Sequence, residues 1–273
     1  MLRRRSRDRR DRKPRETRPA VQAAAPTKRR ARPDAVVPEE LKLSKPGHSR
    51  RPDRDNGRES SVILVTGFEP FGGESTNPSW EICARLPKEI AGMRVETCKV
   101  PCEFRRAIEV VAEAIERHHP DIVVSLGLAG GRSRLGVERV AINVDDARIP
   151  DNAGAQPIDE MIAPNGPPAY FATIPVKAIA RGIRAAGVPA EVSNSAGTYV
   201  CNHVMYGVLH YLAASGNHAR AGFIHVPYDE SQILDKRDAP AMSIDSMTRG
   251  IEAAIAAAVE NRRDIVSAEG NLD

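Results

Sequence analysis

The sequence predicts an α/β domain in which helices cover both faces of a mostly parallel sheet. Three observations lead there. Short apolar runs bounded by turn residues recur along the body of the chain and read as buried strands. Between them lie stretches whose apolar residues return every three or four positions, the spacing of a one-faced helix. The two patterns alternate for most of the body, with no internal repeat and no second core.

Val62-Ile63-Leu64-Val65, ending at Thr66-Gly67, is the first strand. Asn77-Pro78 reads as a helix cap with proline in the first turn, so Trp80 and Ile82 lie on a helix. Phe104, Ile108, Val111, Ala112 and Ile115 give the next helix one apolar face, and His118-His119-Pro120 ends it. Ile122-Val123-Val124 is the following strand. Ile179 and Ile183 mark a helix closed by Gly187, and Val204, Met205, Val208 and Leu212 mark another. Gly222-Phe223-Ile224 is the last core strand, before an Ala- and Ile-rich helix from about Ser243 to Asn261.

Composition divides the chain. Of its 273 residues, 41% are hydrophobic, enough for a sizeable core. The net charge of +4 averages two unlike parts: residues 1–60 hold 20 Lys and Arg against 9 Asp and Glu, and the rest holds 20 against 27. The first 60 residues have little to bury and are expected to be a disordered Arg/Pro-rich tail. Acids interrupt its basic runs and no aromatics interleave them, which favours a solvated tail or a misplaced start over a nucleic-acid or membrane-surface tether. A transit peptide fits less well, because such peptides are poor in acids. The catalytic domain is expected over 61–262 and a C-terminal tail over 263–273. The four cysteines, Cys83, Cys98, Cys102 and Cys201, match no zinc spacing. With no secretory signal and no membrane-length apolar run, reduced thiols and a cytoplasmic protein are expected.

In open α/β sheets, sites collect at the carboxyl ends of strands. Four stretches lie there: Gly67 to Gly73, Gly127 to Arg132, Ser195 to His203, and His225 to Tyr228. The two glycine-rich ones match neither phosphate-binding glycine motif. Cys201 opens a helix, where the dipole is expected to lower its pKa; a buried structural cysteine is the alternative. A nucleophile needs a base. His203 lies two positions along the same helix, about 200° round it, and reads as a packing or supporting group. His225 ends a core strand and is the better candidate. Glu138, an acid in an otherwise apolar alternating segment, is a candidate third member, with an exposed carboxylate paired to Arg139 as the alternative. Spacing alone does not select this trio over others.

Together these stretches resemble the pyroglutamyl peptidase I family. The resemblance spans roughly 61–260. Its motifs, in order, begin at Thr66 (ThrGlyPheGluProPheGlyGly), Asn77 (AsnProSerTrp), Ala129 (AlaGlyGlyArg), Glu138 (GluArgValAlaIleAsn), Asp146 (AspAlaArgIleProAspAsn), Ser195 (SerAlaGlyThrTyrValCysAsnHis) and Phe223 (PheIleHisValProTyr). It implies an α/β/α sandwich, no metal or organic cofactor, and a homo-oligomer, dimer or tetramer, acting on pyroglutamyl peptides. It also implies Cys201 as nucleophile, His225 as base, Glu138 as orienting acid and Arg148 at the oxyanion. Phe68 and Phe71 are expected to wall the substrate pocket, with Leu128 beside them. Two positions depart from the family pattern: Leu128 stands where some members have Gln, and Gly136-Val137 replaces a usual Ser/Thr-x before Glu138. The alternatives are a related cysteine amidase or lactam hydrolase, and a non-catalytic nucleic-acid-binding protein that uses the tail.

Overall fold

The computed structural model describes residues 61–270. The expected tail over 1–60, and with it any nucleic-acid contact, lies outside the described residues. Nine strands are present: β1 (Val62–Phe68), β2 (Glu89–Ile90), β3 (Met93–Val100), β4 (Ile122–Leu128), β5 (Leu135–Glu138), β6 (Val140–Ile142), β7 (Ala169–Phe171), β8 (Ala190–Ser193) and β9 (Arg220–Val226). The helices are α1 (Pro78–Arg85), α2 (Arg106–His118), α3 (Val176–Ala185), α4 (Val200–Ser215) and α5 (Ile244–Glu260).

Seven strands make one sheet in the order β2-β3-β1-β4-β9-β5-β8, and β6 and β7 form a separate antiparallel ribbon. Pairing is parallel from β3 through β1 and β4 to β9, and again between β5 and β8. Two pairs run the other way, β2 against β3 and β5 against β9.

Successive side chains on a strand point to opposite faces, and the core divides accordingly. Ile63 and Val65 of β1, Val124 of β4 and Ile224 of β9 pack under α1, α3 and α5. Leu64, Phe68, Val123 and Phe223 point the other way, under α2 and α4. The result is a three-layer α/β/α sandwich in a single domain. Asn77 caps α1 as the sequence predicts, and Ser243, about where the sequence begins the last helix, caps α5.

Three findings go beyond the sequence reading. Strand β3 alternates polar and apolar residues and so lacks the apolar run that marks the central strands. Phe104 lies outside α2. A tight turn precedes that helix, with Arg105 at φ 64°, ψ −57° and Arg106 N–H donating to Phe104 O at 2.7 Å, the strained γ form. Finally, the segment after residue 262 docks along α3. The Asp264 carboxylate accepts from the Lys177 and Ala178 N–H groups, and Glu269 pairs with Arg184 at 2.7 Å.

Asn77 does more than cap. Its Oδ1 accepts from Ser79 N–H at 3.1 Å and from the Ser79 hydroxyl at 2.8 Å, and its Nδ2 donates to Glu69 O at 2.9 Å. Ser79 Oγ in turn accepts from Phe68 N–H at 2.9 Å. The cap therefore fastens the loop after β1 to the start of α1. Asn77→Ala is expected to lower unfolding free energy by about 1–2 kcal/mol, read from urea denaturation; an unchanged midpoint would show that the cap is dispensable.

Candidate active site

The site forms on the α2/α4 face, at the carboxyl end of β9. His225 is the penultimate residue of that strand and is buried. Its direct neighbours across the two flanking ladders are Gly127 of β4 and Gly136 of β5. Both positions need glycine for room. A Cβ on Gly127 would lie 2.8 Å from Cys201 Sγ, and one on Gly136 would lie 2.4 Å from an Arg132 guanidinium nitrogen. The thiol thus rests on one side of the histidine column and a cation on the other, with neighbouring strands about 4.8 Å apart.

The antiparallel run of β5 puts Glu138 opposite Phe223, two residues before His225 and on the same face. Glu138 is fully buried. Its Oε1 lies 2.7 Å from His225 Nδ1 and 2.7 Å from Arg132 Nη1. A carboxylate only accepts, so Nδ1 carries the proton and Nε2 keeps a lone pair. Oε2 has no hydrogen-bond partner, and the adjacent Ser193 hydroxyl turns instead to Ser195 O at 3.3 Å. The exposed Glu138–Arg139 pairing considered from sequence does not occur.

Burial alone would raise the Glu138 pKa, but the hydrogen bond and charge of His225, with the Arg132 charge, bring it below the ordinary carboxylate value. Burial lowers His225, opposed by Glu138 and assisted by Arg132. Cys201 departs from expectation. It is the second residue of α4, and no side chain caps that helix, yet its pKa is raised. Burial is the main cause, the charges of Cys102 and Glu138 add to it, and Arg132 opposes it. The residue keeps partial exposure. The dipole of one helix end does not overcome a carboxylate held in a low-dielectric site. No hydrogen bond joins Cys201 to His225 here; such contacts often tighten only with substrate in place.

Both ring nitrogens of His203 are engaged by other groups. Its Nδ1 lies 2.7 Å from Asp145 Oδ2, and its Nε2 accepts from Arg105 N–H at 2.8 Å, as the helix geometry predicts for a supporting group.

The expected pocket residues divide. Phe68 is buried in the core, its ring 6.4 Å from that of Phe223. Phe71 is half-buried, its ring 6.1 Å from Tyr199, and Phe104 meets Tyr199 edge-on at 5.4 Å. Tyr199 lies two residues before Cys201, so Phe71, Tyr199 and Phe104 form an aromatic group at the start of α4. Leu128 is buried at the end of β4. Strand alternation puts its side chain on the α1/α3/α5 side with Leu126, which leaves its backbone for the site face. Arg148 is exposed and makes no hydrogen bond or ion pair among the described residues. Its loop is nevertheless pinned beside α4: Thr198 Oγ1 donates to Asp146 O at 2.8 Å, and Tyr199 OH donates to Pro150 O at 3.1 Å.

Sequence reasoning missed Arg132, Tyr199 and Phe104 as site residues. Phe104 looked like part of a helix face, and Arg132 carried no sign of which acid it would meet. Among the described residues no group of His, Cys, Asp and Glu is placed to hold a metal ion, and no helix is long and apolar enough to cross a membrane.

Comparison with known proteins agrees with this geometry. The pyroglutamyl peptidase family model matches residues 61–261. The pyrrolidone-carboxylate peptidase 1 of Caldanaerobacter subterraneus subsp. tengcongensis is 54% identical over 193 residues, covering 71% of this chain and 95% of that protein. The Escherichia fergusonii pyrrolidone-carboxylate peptidase is 50% identical, covering 77% and 98%. Among solved structures, the pyroglutamyl peptidase I of Bacillus amyloliquefaciens superposes with a TM-score of 0.75 at 43% identity, covering 77% of this chain and all of that one. The chain therefore belongs to the pyroglutamyl peptidase family of cysteine peptidases, and it is an enzyme with pyroglutamyl peptidase activity.

Proposed function

We propose that Cys201, His225 and Glu138 form a catalytic triad that cleaves the amide after an N-terminal pyroglutamyl residue through a thioester. The observation that carries this reading is the buried 2.7 Å contact from Glu138 to His225 Nδ1. It leaves Nε2 as the basic atom, next to the strand position over which the Cys201 sulfur rests.

At rest the thiol and imidazole are neutral, because burial disfavours both charges. As substrate enters, the Cys201 proton passes to His225 Nε2 and the sulfur bonds to the pyroglutamyl carbonyl carbon. The negative charge on the carbonyl oxygen is met by the Cys201 backbone N–H at the uncapped start of α4. Arg148, unpaired on its pinned loop, is proposed to swing in as a second donor. The C–N bond then breaks and His225 returns the proton to the leaving amine. Water attacks the thioester, again with His225 taking its proton, and the acid and the free thiol are released.

Pyroglutamate is a small neutral lactam with no amino charge to anchor, which suits an aromatic wall with a few amide contacts. Phe71, with Tyr199 and Phe104, supplies such a wall; Phe68 supports it from beneath. Leu128 is proposed to contribute backbone only, so the absence of Gln there leaves binding intact. No cofactor enters this scheme. A dimer or tetramer is proposed, supported by the exposed Ile149, Ile158 and Met161 on one segment, and the cytoplasm as its location.

The test is hydrolysis of a chromogenic pyroglutamyl amide, with a prolyl amide as comparator. Cys201→Ser should nearly abolish turnover; retained turnover would sink the mechanism. Glu138→Gln should cost roughly 10²–10⁴ in kcat, since an amide does not hold the imidazole tautomer as a carboxylate does. His225→Ala should remove activity from a folded protein. His203→Ala should instead destabilise it by about 2–4 kcal/mol, leaving Asp145 buried without its partner, while the folded fraction keeps turning over. Equal loss of kcat from both histidine variants would contradict the choice of base.

The pH profile of kcat/KM provides a further check. A lowered His225 pKa keeps the base neutral further into acid, so the acid limb should fall below the ordinary imidazole value of about 6.5. A raised Cys201 pKa keeps the thiol protonated further into alkali, so the other limb should lie above about 8.5. A narrow bell centred near neutrality would contradict the neutral resting pair.

A further inference from the structure

We infer that Arg132 is a positioning residue that sets the charge of the whole Cys201–His225–Glu138 unit, and that Gly136 exists to admit it. The role rests on the triad proposed above. Arg132 Nη1 lies 2.7 Å from the same Glu138 oxygen that receives His225, and its Nη2 donates to Ser195 O at 3.2 Å. One guanidinium therefore ties the loop after β4 to the acid on β5 and to the loop that leads into α4.

An ionised carboxylate with no solvent contact is costly unless paired. His225 cannot be its permanent counter-charge, because the reaction requires that imidazole to be neutral in alternate steps. Arg132 is always charged. It holds Glu138 ionised through the cycle, whichever proton state His225 is in.

Its charge reaches the other two members as well. The groups facing Cys201 are Cys102, Tyr199, His225, Glu138 and Arg132; of these, Cys102 and Glu138 raise the thiol pKa and Arg132 lowers it. Arg132 also lowers His225. Without the cation, the Cys201 and His225 pKa values should rise together. The assignment of the two limbs then does not matter, because both move to higher pH.

Gly136 is the steric counterpart. A Cβ there would lie 2.4 Å from Arg132 Nη1 but an ordinary 3.6 Å from Glu138 Oε1. Alanine in a β-strand costs no backbone strain, so Gly136→Ala displaces the guanidinium and leaves the acid in place.

The experiment reads Cys201 directly. Alkylation by iodoacetamide is followed at the Cys201 peptide across pH, together with pyroglutamyl amide hydrolysis. Arg132→Met should shift the Cys201 profile and both hydrolysis limbs upward by about one pH unit, which is about a tenfold slower alkylation at neutral pH. Arg132→Lys should reverse most of the shift, because the charge returns. Gly136→Ala should reproduce the Arg132→Met profile, and the double variant should shift no further. Coincident wild-type and Arg132→Met profiles would overturn the inference, as would a lysine variant as shifted as the methionine one. If wild type cleaves no pyroglutamyl amide yet the alkylation profile shifts, the triad's substrate is wrong and the role of Arg132 stands.

Discussion

The site depends on one buried charge. Glu138 has no solvent contact, and a carboxylate in that position persists only where donors are fixed around it. Two of them converge on a single oxygen. That convergence rests on the register of β5 against β9, which sets Glu138 opposite Phe223, two residues before His225 and on the same face. It also requires two ladder neighbours without side chains, one admitting the sulfur and one the guanidinium. The antiparallel strand and the glycines at 127 and 136 are thus one arrangement seen from three sides.

Helix α4 solves a related problem with three consecutive residues. Positions along a helix turn by about 100° each, so Cys201, Asn202 and His203 face three directions. Cys201 meets the sheet. Asn202 is fully buried and pairs with the β6 backbone, accepting from Ile142 N–H at 3.0 Å and donating to Ile142 O at 2.9 Å. His203 holds Asp145 and the strained turn at Arg105. Cys201 is therefore fixed by neighbours engaged in other contacts. His203, two residues away, is held by Asp145 and Arg105, whereas the proposed base lies on a different strand.

Most of the frame was legible in the sequence. Central strands announced themselves as apolar runs because both their faces are buried, and the cap at Asn77 was readable as a residue type. The outer strands were not, since β3 alternates and the edge strands β2 and β8 are short. The trio Cys201, His225 and Glu138 entered through family resemblance; spacing offered the cysteine and histidine as candidates but gave no way to pair an acid on β5 with either. Arg132 escaped notice because its partner lies six residues on, at the far end of β5, and no local spacing rule pairs the two. The thiol pKa was misjudged because a helix dipole is visible in sequence, whereas burial beside a carboxylate is a property of the packed site.

The strand order has a consequence for how the molecule is made. β4 lies mid-sheet, yet its second neighbour is β9, and pairing of Ile122 with Arg220 waits on the intervening chain. During synthesis β1, β3 and β4 can zip together early, leaving the far edge of β4 unpaired. Such an edge invites pairing with other chains. β5 can pair with β8 sooner, but its other side waits on β9 as β4 does. Activity is thus withheld until nearly the whole domain has left the ribosome, and the half-built sheet is the stage at which a chaperone has most to protect.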